Sequence, residues 1–373
     1  MADHSPTFAI IAGGGTAGHV LPGLAVAEAL VARGHDRSSI HYVGSEGRIE
    51  ARLVPEAGFS LTLLSGRGIE RRLTVRNLVA IVGIIRASAH ALVLVRRLRP
   101  RVVVAVGGYA SVAIALAAFV WRVPIVVAEQ NAVPGAANRL VARFAKACAV
   151  SFANTPLPRA VVTGNPVRAE VLAVDRGRDG DQAKRDLGVE PGRRVLLVAG
   201  GSLGALRINE ATIAALDGWH DRGDLAVRHV VGQRDWEVLH AVDVAERVGH
   251  LQYLPVPYDD EMPRTLAASD IAVCRAGSST CFELAATGVP AVLVPSPYVT
   301  ADHQTANARH LVTAGAAVLV RDAELDGARL AAEVDALLDD PQRLAAMSQA
   351  MHAFARPKAA DDIAALVEEH ARD

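Results

Sequence analysis

Gly13-Gly14-Gly15-Thr16-Ala17-Gly18-His19 follows an apolar run, Thr7-Phe8-Ala9-Ile10-Ile11-Ala12, and precedes a helical pattern from Leu21 to Arg33. A strand, a glycine loop and a helix start, in that order, make an anion site. Backbone N–H groups converge there and the helix dipole favours negative charge. Gly13, Gly15 and Gly18 also fit G-x-G-x-x-G, the dinucleotide fingerprint. His19 stands just past the last glycine, where an imidazole can do chemistry as well as hold a ligand.

Around this loop, short apolar runs alternate with amphipathic stretches, at 8–12, 40–43, 61–64, 102–106, 125–128 and 147–152. That alternation predicts a parallel sheet covered by helices on both faces. It pauses at Val162-Thr163-Gly164-Asn165-Pro166-Val167-Arg168, and a hinge is expected near 164–168. The polar stretch Asp175-Arg176-Gly177-Arg178-Asp179-Gly180-Asp181 reads as a solvated linker, its Asp-x-Asp included, rather than as a metal motif. The grammar restarts at 194–199, passes through Gly200-Gly201-Ser202-Leu203-Gly204-Ala205 into a helix from Leu206, and adds strands at 227–231, 271–274, 291–294 and 317–320. Helices close the chain from about Leu325. The fold expected is α/β, two Rossmann-like doubly wound domains facing across a cleft, with ligands at the strand ends. At 200–204 a plain tight turn is the competing reading.

Composition narrows the classes. A length of 373 residues suits two domains of about 150 residues each. Apolar residues make up 51% and aromatic ones only 4%, so the cores are aliphatic and large. A net charge of −1 argues against nucleic-acid binding by the chain as a whole. Cys148, Cys274 and Cys281, an odd and sparse set, suit a reducing compartment, and with no His or Cys cluster beside Cys274 and Cys281 they argue against a zinc site. The polar start from Met1 to Pro6 is no signal peptide, which makes a cytoplasmic location the expectation.

The densest chemistry of the second half is Cys274-Arg275-Ala276-Gly277-Ser278-Ser279-Thr280-Cys281-Phe282-Glu283. An apolar strand ends at Cys274, and Gly277-Ser278-Ser279-Thr280 opens a helix, a second diphosphate seat. A carboxylate one turn in, Glu283, accepts hydrogen bonds from a ribose diol in dinucleotide folds. The alternative is a capping box with Ser279 as cap partner. Downstream, Asp302-His303-Gln304-Thr305-Ala306-Asn307 crowds polar groups at another helix start, which suggests recognition of sugar hydroxyls.

From Arg71 to Ala128 there is no Asp or Glu, against nine Arg. The apolar run 78–95 carries Arg86 mid-span and falls short of the roughly 20 residues a membrane span needs. A buried helix of the α/β layer explains part of it. Val75, Leu78, Val79, Val82 and Ile85, ringed by Arg71, Arg72 and Arg76, also make an interfacial face for anionic headgroups.

Taken in order and spacing, Gly13 to His19 with Pro22-Gly23, Gly107-Gly108-Tyr109-Ala110-Ser111, Glu129-Gln130-Asn131, the 164–168 segment, the 200–205 loop, Cys274 to Glu283, and His303-Gln304 with Asn307-Ala308 resemble the MurG-type glycosyltransferases. These are GT-B enzymes that carry N-acetylglucosamine from UDP-GlcNAc to undecaprenyl-pyrophosphoryl-N-acetylmuramyl-pentapeptide. The resemblance implies a first domain over 1–165 that faces acceptor and membrane, and a UDP-GlcNAc domain over 166–354. A C-terminal helix at about 355–373 is placed to pack back on the first. It implies that Thr16, Ala17, Gly18, Asn131 and Arg168 lie around the donor and that Ser202 meets its diphosphate. Ser278, Ser279, Thr280, Cys281, Phe282 and Glu283 would form the donor loop and helix, with Glu283 on the ribose and Gln304 on the sugar hydroxyls. Gly14, Gly15, Tyr109 and Asn138 fall on the acceptor side, and His19 and Glu129 are the catalytic candidates. No cofactor or metal is implied. The partners implied are the two substrates and anionic inner-leaflet lipids on an Arg-rich face around 71–99, which puts the protein at the cytoplasmic membrane surface.

The chain departs from the family in three places. Ala128 stands where a His often precedes Glu-Gln-Asn, Ala17 replaces a glycine, and Asp259 in Pro257-Tyr258-Asp259-Asp260-Glu261-Met262 replaces the apolar residue whose backbone clamps uracil. Two other functions compete. An NAD(P) oxidoreductase would use Glu46, after the second strand, on the ribose. A nucleotide-sugar epimerase would keep the fold and need no lipid acceptor.

Overall fold

Val102-Val103-Val104-Ala105-Val106 is buried at every position, which only a strand covered on both faces allows. The structure, a computed structural model, describes residues 7–65, 75–201, 204–239 and 245–373, the side chains of 75–85 and 245–246 excepted. The chain divides into two units, one of residues up to Val167 together with Arg356–Asp373, the other Arg168–Ala355.

In the first unit the strands are β1 (Ala9–Gly13), β2 (Ile40–Ser45), β3 (Ser60–Leu64), β4 (Val102–Gly107), β5 (Ile125–Glu129), β6 (Ala147–Val150) and β7 (Ala160–Val162). They form a parallel sheet in the order β3-β2-β1-β4-β5-β6-β7. Successive side chains point to opposite faces. Ile10, Ala12, Val103 and Ala105 enter one core with Ile114 of helix Tyr109–Val120. Ala9, Ile11, Val102 and Val104 enter the other with Val26 and Leu30 of helix Ala17–Ala32. Helix Ala359–His370 completes that second face through Ile363 and Val367, and Arg33 pairs with its Asp361 and Glu368.

The second unit repeats the plan with β8 (Arg194–Ala199), β9 (Leu225–Val230), β10 (Gln252–Val256), β11 (Ile271–Cys274), β12 (Ala291–Leu293) and β13 (Ala317–Leu319), in the order β10-β9-β8-β11-β12-β13. Strand order reverses between β1 and β4 in one sheet and between β8 and β11 in the other. Ligands of open α/β sheets bind at the carboxyl ends of strands at such reversals.

Two expectations change. The polar stretch read as a linker is helix Arg176–Asp186, capped by Asp175, whose carboxylate accepts from the amides of Gly177 and Arg178. Asp179 pairs with Arg178 at 2.7 Å. Strands β7 and β10 were absent from the apolar pattern. Ser202 and the basic ring of Arg71 and Arg72 lie outside the described residues, as do the side chains of Val75, Arg76, Leu78, Val79, Val82 and Ile85.

Candidate active site

In the first unit three glycines bring the β1 and β4 loops together. A Cβ on Gly13 would lie 2.3 Å from Val106 Cγ2, and one on Gly108 would lie 2.7 Å from the Gly14 carbonyl. A Cβ on Gly107 would meet the His19 ring at 2.9 Å, so the imidazole lies directly over that glycine. His19 is the third residue of helix Ala17–Ala32, and Thr16 is its N-cap. The Thr16 hydroxyl does not cap the backbone; it bonds His19 Nδ1 at 3.2 Å. With Nδ1 as the donor in that bond, Nε2 carries the lone pair a base needs.

The glycine loop already holds a carboxylate. Glu50, fully buried at the start of helix Glu50–Glu56, accepts from the Gly15 amide at 3.1 Å and from the Ser45 amide at 2.9 Å. Gly14 and Gly44 make room for it, since a Cβ on either would come within 2.0 Å and 2.5 Å of its side chain. Sequence reasoning missed Glu50, and it changes the loop's chemistry. The Gly15 N–H is directed at the protein's own anion.

Glu129, at the end of β5, is also buried and has both oxygens occupied. Oε1 accepts from the Asn131 amide at 2.9 Å; Oε2 accepts from the Gly135 amide at 3.0 Å and from Asn138 Nδ2 at 2.9 Å. A carboxylate so engaged clamps the loop that follows β5 and is poorly placed to take a proton. Asn138 reaches the Gly107 position from the other side, its Nδ2 3.6 Å from a Cβ built there. Gly14, Gly15, Thr16, Ala17, Gly18, His19, Tyr109, Glu129, Asn131 and Asn138 are therefore all on or next to loops at the carboxyl ends of β1, β4 and β5.

The second unit holds a cavity of about 870 Å³ whose wall includes Arg168, Gly201, Gly204, Thr280, Glu283 and Gln304. Helix Ser278–Thr287 opens onto it with Gly277 as N-cap and no acidic residue in its first turn, so no cap carboxylate competes with an incoming anion. The capping-box alternative fails here. Glu283 turns to Arg168, with Nε at 3.2 Å and Nη2 at 3.1 Å. Burial raises the Glu283 carboxyl above its ordinary pKa, and Arg168 opposes that shift. Gln304 Oε1 accepts from the Ser296 amide at 2.8 Å, which leaves the Nε2 amide as its donor at the wall. Buried Asn307 ties its helix to the Ala276 carbonyl at 3.1 Å.

Other placements qualify the sequence reading. Cys281 and Phe282 are core residues, the Phe282 ring tilted against Phe354, and neither is on the cavity wall. Ser278 is buried and Ser279 half-buried, and neither is on the wall. Asp259 turns its carboxylate inward, accepting from Thr265 Oγ1 at 2.6 Å and from the Glu261 amide at 2.9 Å. Asp259 is nevertheless part of the cavity wall. Tyr258, of the 257–262 segment, also lines the cavity, as does Arg234, which had no motif to flag it.

Residues 9–150 match the glycosyltransferase family 28 N-terminal domain, and residues 195–363 the glycosyltransferase family 28 C-terminal domain. A UDP-N-acetylglucosamine–N-acetylmuramyl-(pentapeptide) pyrophosphoryl-undecaprenol N-acetylglucosamine transferase of Salinibacter ruber is 42% identical, with 98% of this chain and 96% of that protein covered. One of Desulforudis audaxviator is 38% identical over 96% of this chain and 97% of its own length. Among solved structures, Acinetobacter baumannii MurG superposes with a TM-score of 0.77 at 29% identity, covering 98% of this chain and 100% of that one.

Proposed function

Because the chain belongs to glycosyltransferase family 28, among its pyrophosphoryl-undecaprenol N-acetylglucosamine transferases, we propose that it transfers N-acetylglucosamine from UDP-GlcNAc to the C4 hydroxyl of lipid-linked N-acetylmuramyl-pentapeptide, with inversion. The observation that carries this reading beyond kinship is the 870 Å³ cavity, where a glycine loop, an uncapped helix start and an Arg168–Glu283 pair share one wall. Those are the parts a nucleoside diphosphate needs.

The acceptor oxygen attacks the anomeric carbon, the bond from that carbon to the UDP oxygen breaks, and the hydroxyl proton passes to His19. Charge growing on the leaving diphosphate is met by the helix start at Ser278 and by Arg168. Glu283 accepts from the ribose diol, and Gln304 Nε2 donates to a sugar hydroxyl. Glu129 shapes the β5 loop and leaves the proton to His19. The oxidoreductase alternative loses its support at the first loop, where a dinucleotide pyrophosphate would meet the Glu50 carboxylate, and Glu46 is an exposed turn residue. Acceptor dependence separates the transferase from an epimerase. UDP release from UDP-GlcNAc is expected only when the lipid-linked muramyl-pentapeptide is added, and release without it would remove this function.

Among the described residues no helix is long and apolar enough to cross a membrane. Exposed apolar side chains on the first unit support a surface there for the lipid end of the acceptor. Phe119 and Val120 are 59% and 60% exposed at the end of helix Tyr109–Val120, and Leu116 and Val93 are exposed too. Arg96 stacks over the neighbouring Trp121 at 5.4 Å. Apolar side chains among arginines suit anionic headgroups. The protein is expected to sediment with phosphatidylglycerol vesicles at low salt and to be released by high salt, and Phe119→Asp with Val120→Asp to abolish sedimentation. Unchanged sedimentation of that variant would place the contact elsewhere.

A further inference from the structure

A chain of polar side chains, buried beyond the half-buried Tyr253, runs through the second unit. Tyr253 on β10 bonds His229 Nδ1 at 2.8 Å, and His229 Nε2 meets Asn209 Oδ1 at 3.0 Å. Asn209 Nδ2 donates to Asp235 Oδ2 at 3.1 Å and to the Val231 carbonyl at 2.9 Å. His229 and Asn209 are fully buried, and Asp235 is nearly so.

The direction of every bond in this chain is fixed. Both Asn209 bonds from Nδ2 are donated to oxygens that only accept, so Oδ1 is its acceptor and His229 Nε2 carries the hydrogen. His229 Nδ1 must then accept from the Tyr253 hydroxyl. Burial pushes the His229 pKa down to about 4, which keeps the ring neutral near pH 7. All donors therefore point one way and end on the Asp235 carboxylate.

Asp235 in turn holds two things. Arg234 Nε donates to Oδ1 at 2.7 Å and one Nη donates to Oδ2 at 3.1 Å, which leaves the other Nη for a ligand. The Asp235 carboxylate also abuts the glycine loop, since a Cβ on Gly204 would lie 2.7 Å from Oδ2. Arg234 and Gly204 both line the cavity. Of its other arginines, Arg168 is bonded to Glu283, Arg275 to Asp322 at 2.5 Å, and Arg207 Nε to the Asp322 carbonyl at 3.3 Å. A buried one-way chain that ends in a charge and fixes an arginine beside a glycine loop is more than core polarity needs.

We propose that Arg234 binds the donor's diphosphate, and that Asp235, Asn209, His229 and Tyr253 are positioning residues that set its guanidinium and the loop around Gly204. This rests on the cavity being the UDP-GlcNAc site. Arg234 supplies an N–H donor and positive charge at a geometry set from behind, and Asp235 keeps its side chain from swinging into solvent.

The test is calorimetric titration of the full chain with UDP. Arg234→Met is expected to weaken binding roughly tenfold, the lower range for a charge-assisted hydrogen bond, and to flatten its salt dependence. Tyr253→Phe removes one hydroxyl that is not on the cavity wall, and is expected to weaken UDP binding about threefold through the same route. If so, the double variant binds no worse than Arg234→Met alone, because the second change has nothing left to position. Arg234→Lys recovers part of the loss. Losses that multiply in the double variant would make Tyr253 a structural residue and overturn the positioning chain. Glu283→Gln separates this inference from the site it rests on. If it weakens UDP binding while Arg234→Met does not, the donor site stands and the Arg234 role is wrong. If neither changes affinity, the cavity is not the donor site and both readings fall.

Discussion

Alanine at position 19 is expected to lower turnover by roughly 10²–10⁴-fold, the range of a general base, while UDP affinity stays nearly unchanged. The expectation follows from where the imidazole sits. The helix start fixes the His19 backbone, the Thr16 hydroxyl at 3.2 Å fixes Nδ1, and Gly107 gives the ring room, since a Cβ there would be 2.9 Å away. Glu129, the other candidate, has each oxygen bonded by backbone or side-chain donors. Single-turnover rates with saturating UDP-GlcNAc test the pair. A His19→Ala enzyme that turns over near the wild-type rate would remove His19 from the chemistry.

The second large effect is expected at Glu50. Glu50→Ala strips the acceptor from the half-buried Gly15 amide and the buried Ser45 amide and leaves a void between Gly14 and Gly44. Unmade buried hydrogen bonds cost about 1–3 kcal/mol each, so the loss of stability is expected at roughly 2–4 kcal/mol. Glu50→Gln keeps one carbonyl oxygen and should lose about half as much. Turnover should fall in both, because the loop that Glu50 holds leads directly into His19. Urea unfolding measures the first effect, and a Glu50→Ala midpoint equal to wild type would mean the loop holds its shape without the carboxylate.

Much of this was legible in the chain. Aliphatic runs buried on both faces, such as 102–106, announce a parallel strand without alternation, and glycine loops after the first strand of each half mark the ligand ends. The strands that escaped are both at sheet edges. β7 is exposed along its whole length, and β10 carries Pro255, which an edge strand tolerates and a central one does not. The helix Arg176–Asp186 looked like a linker because Gly177 and Gly180 are poor helix formers. The Asp175 cap starts that helix, and Gly180 has a packing reason, as a Cβ there would press the Ala267 carbonyl at 3.3 Å.

The site was less legible for a different reason. Loops near a reversal of strand order are found from glycines and helix starts, so Thr280 and Glu283 could be named before the cavity was seen, whereas Arg168 and Gln304 were named through the family resemblance. Glu50, Asp235 and Arg234 belong to no such motif. Their meaning comes from what they touch far along the chain, 35 residues away in the case of Glu50 and Gly15 and 26 in the case of Asp235 and Asn209. Single-chain spacing carries no signal of such pairs.

The most direct test of the proposed activity is the anomeric configuration of its product. The protein is incubated with UDP-GlcNAc and lipid-linked N-acetylmuramyl-pentapeptide, and the glycolipid formed is resolved by nuclear magnetic resonance. The account predicts a β-linked N-acetylglucosamine on C4 of the muramyl residue, with one UDP released per linkage. An α linkage, free N-acetylglucosamine, or an epimerised UDP-sugar formed without acceptor would contradict it.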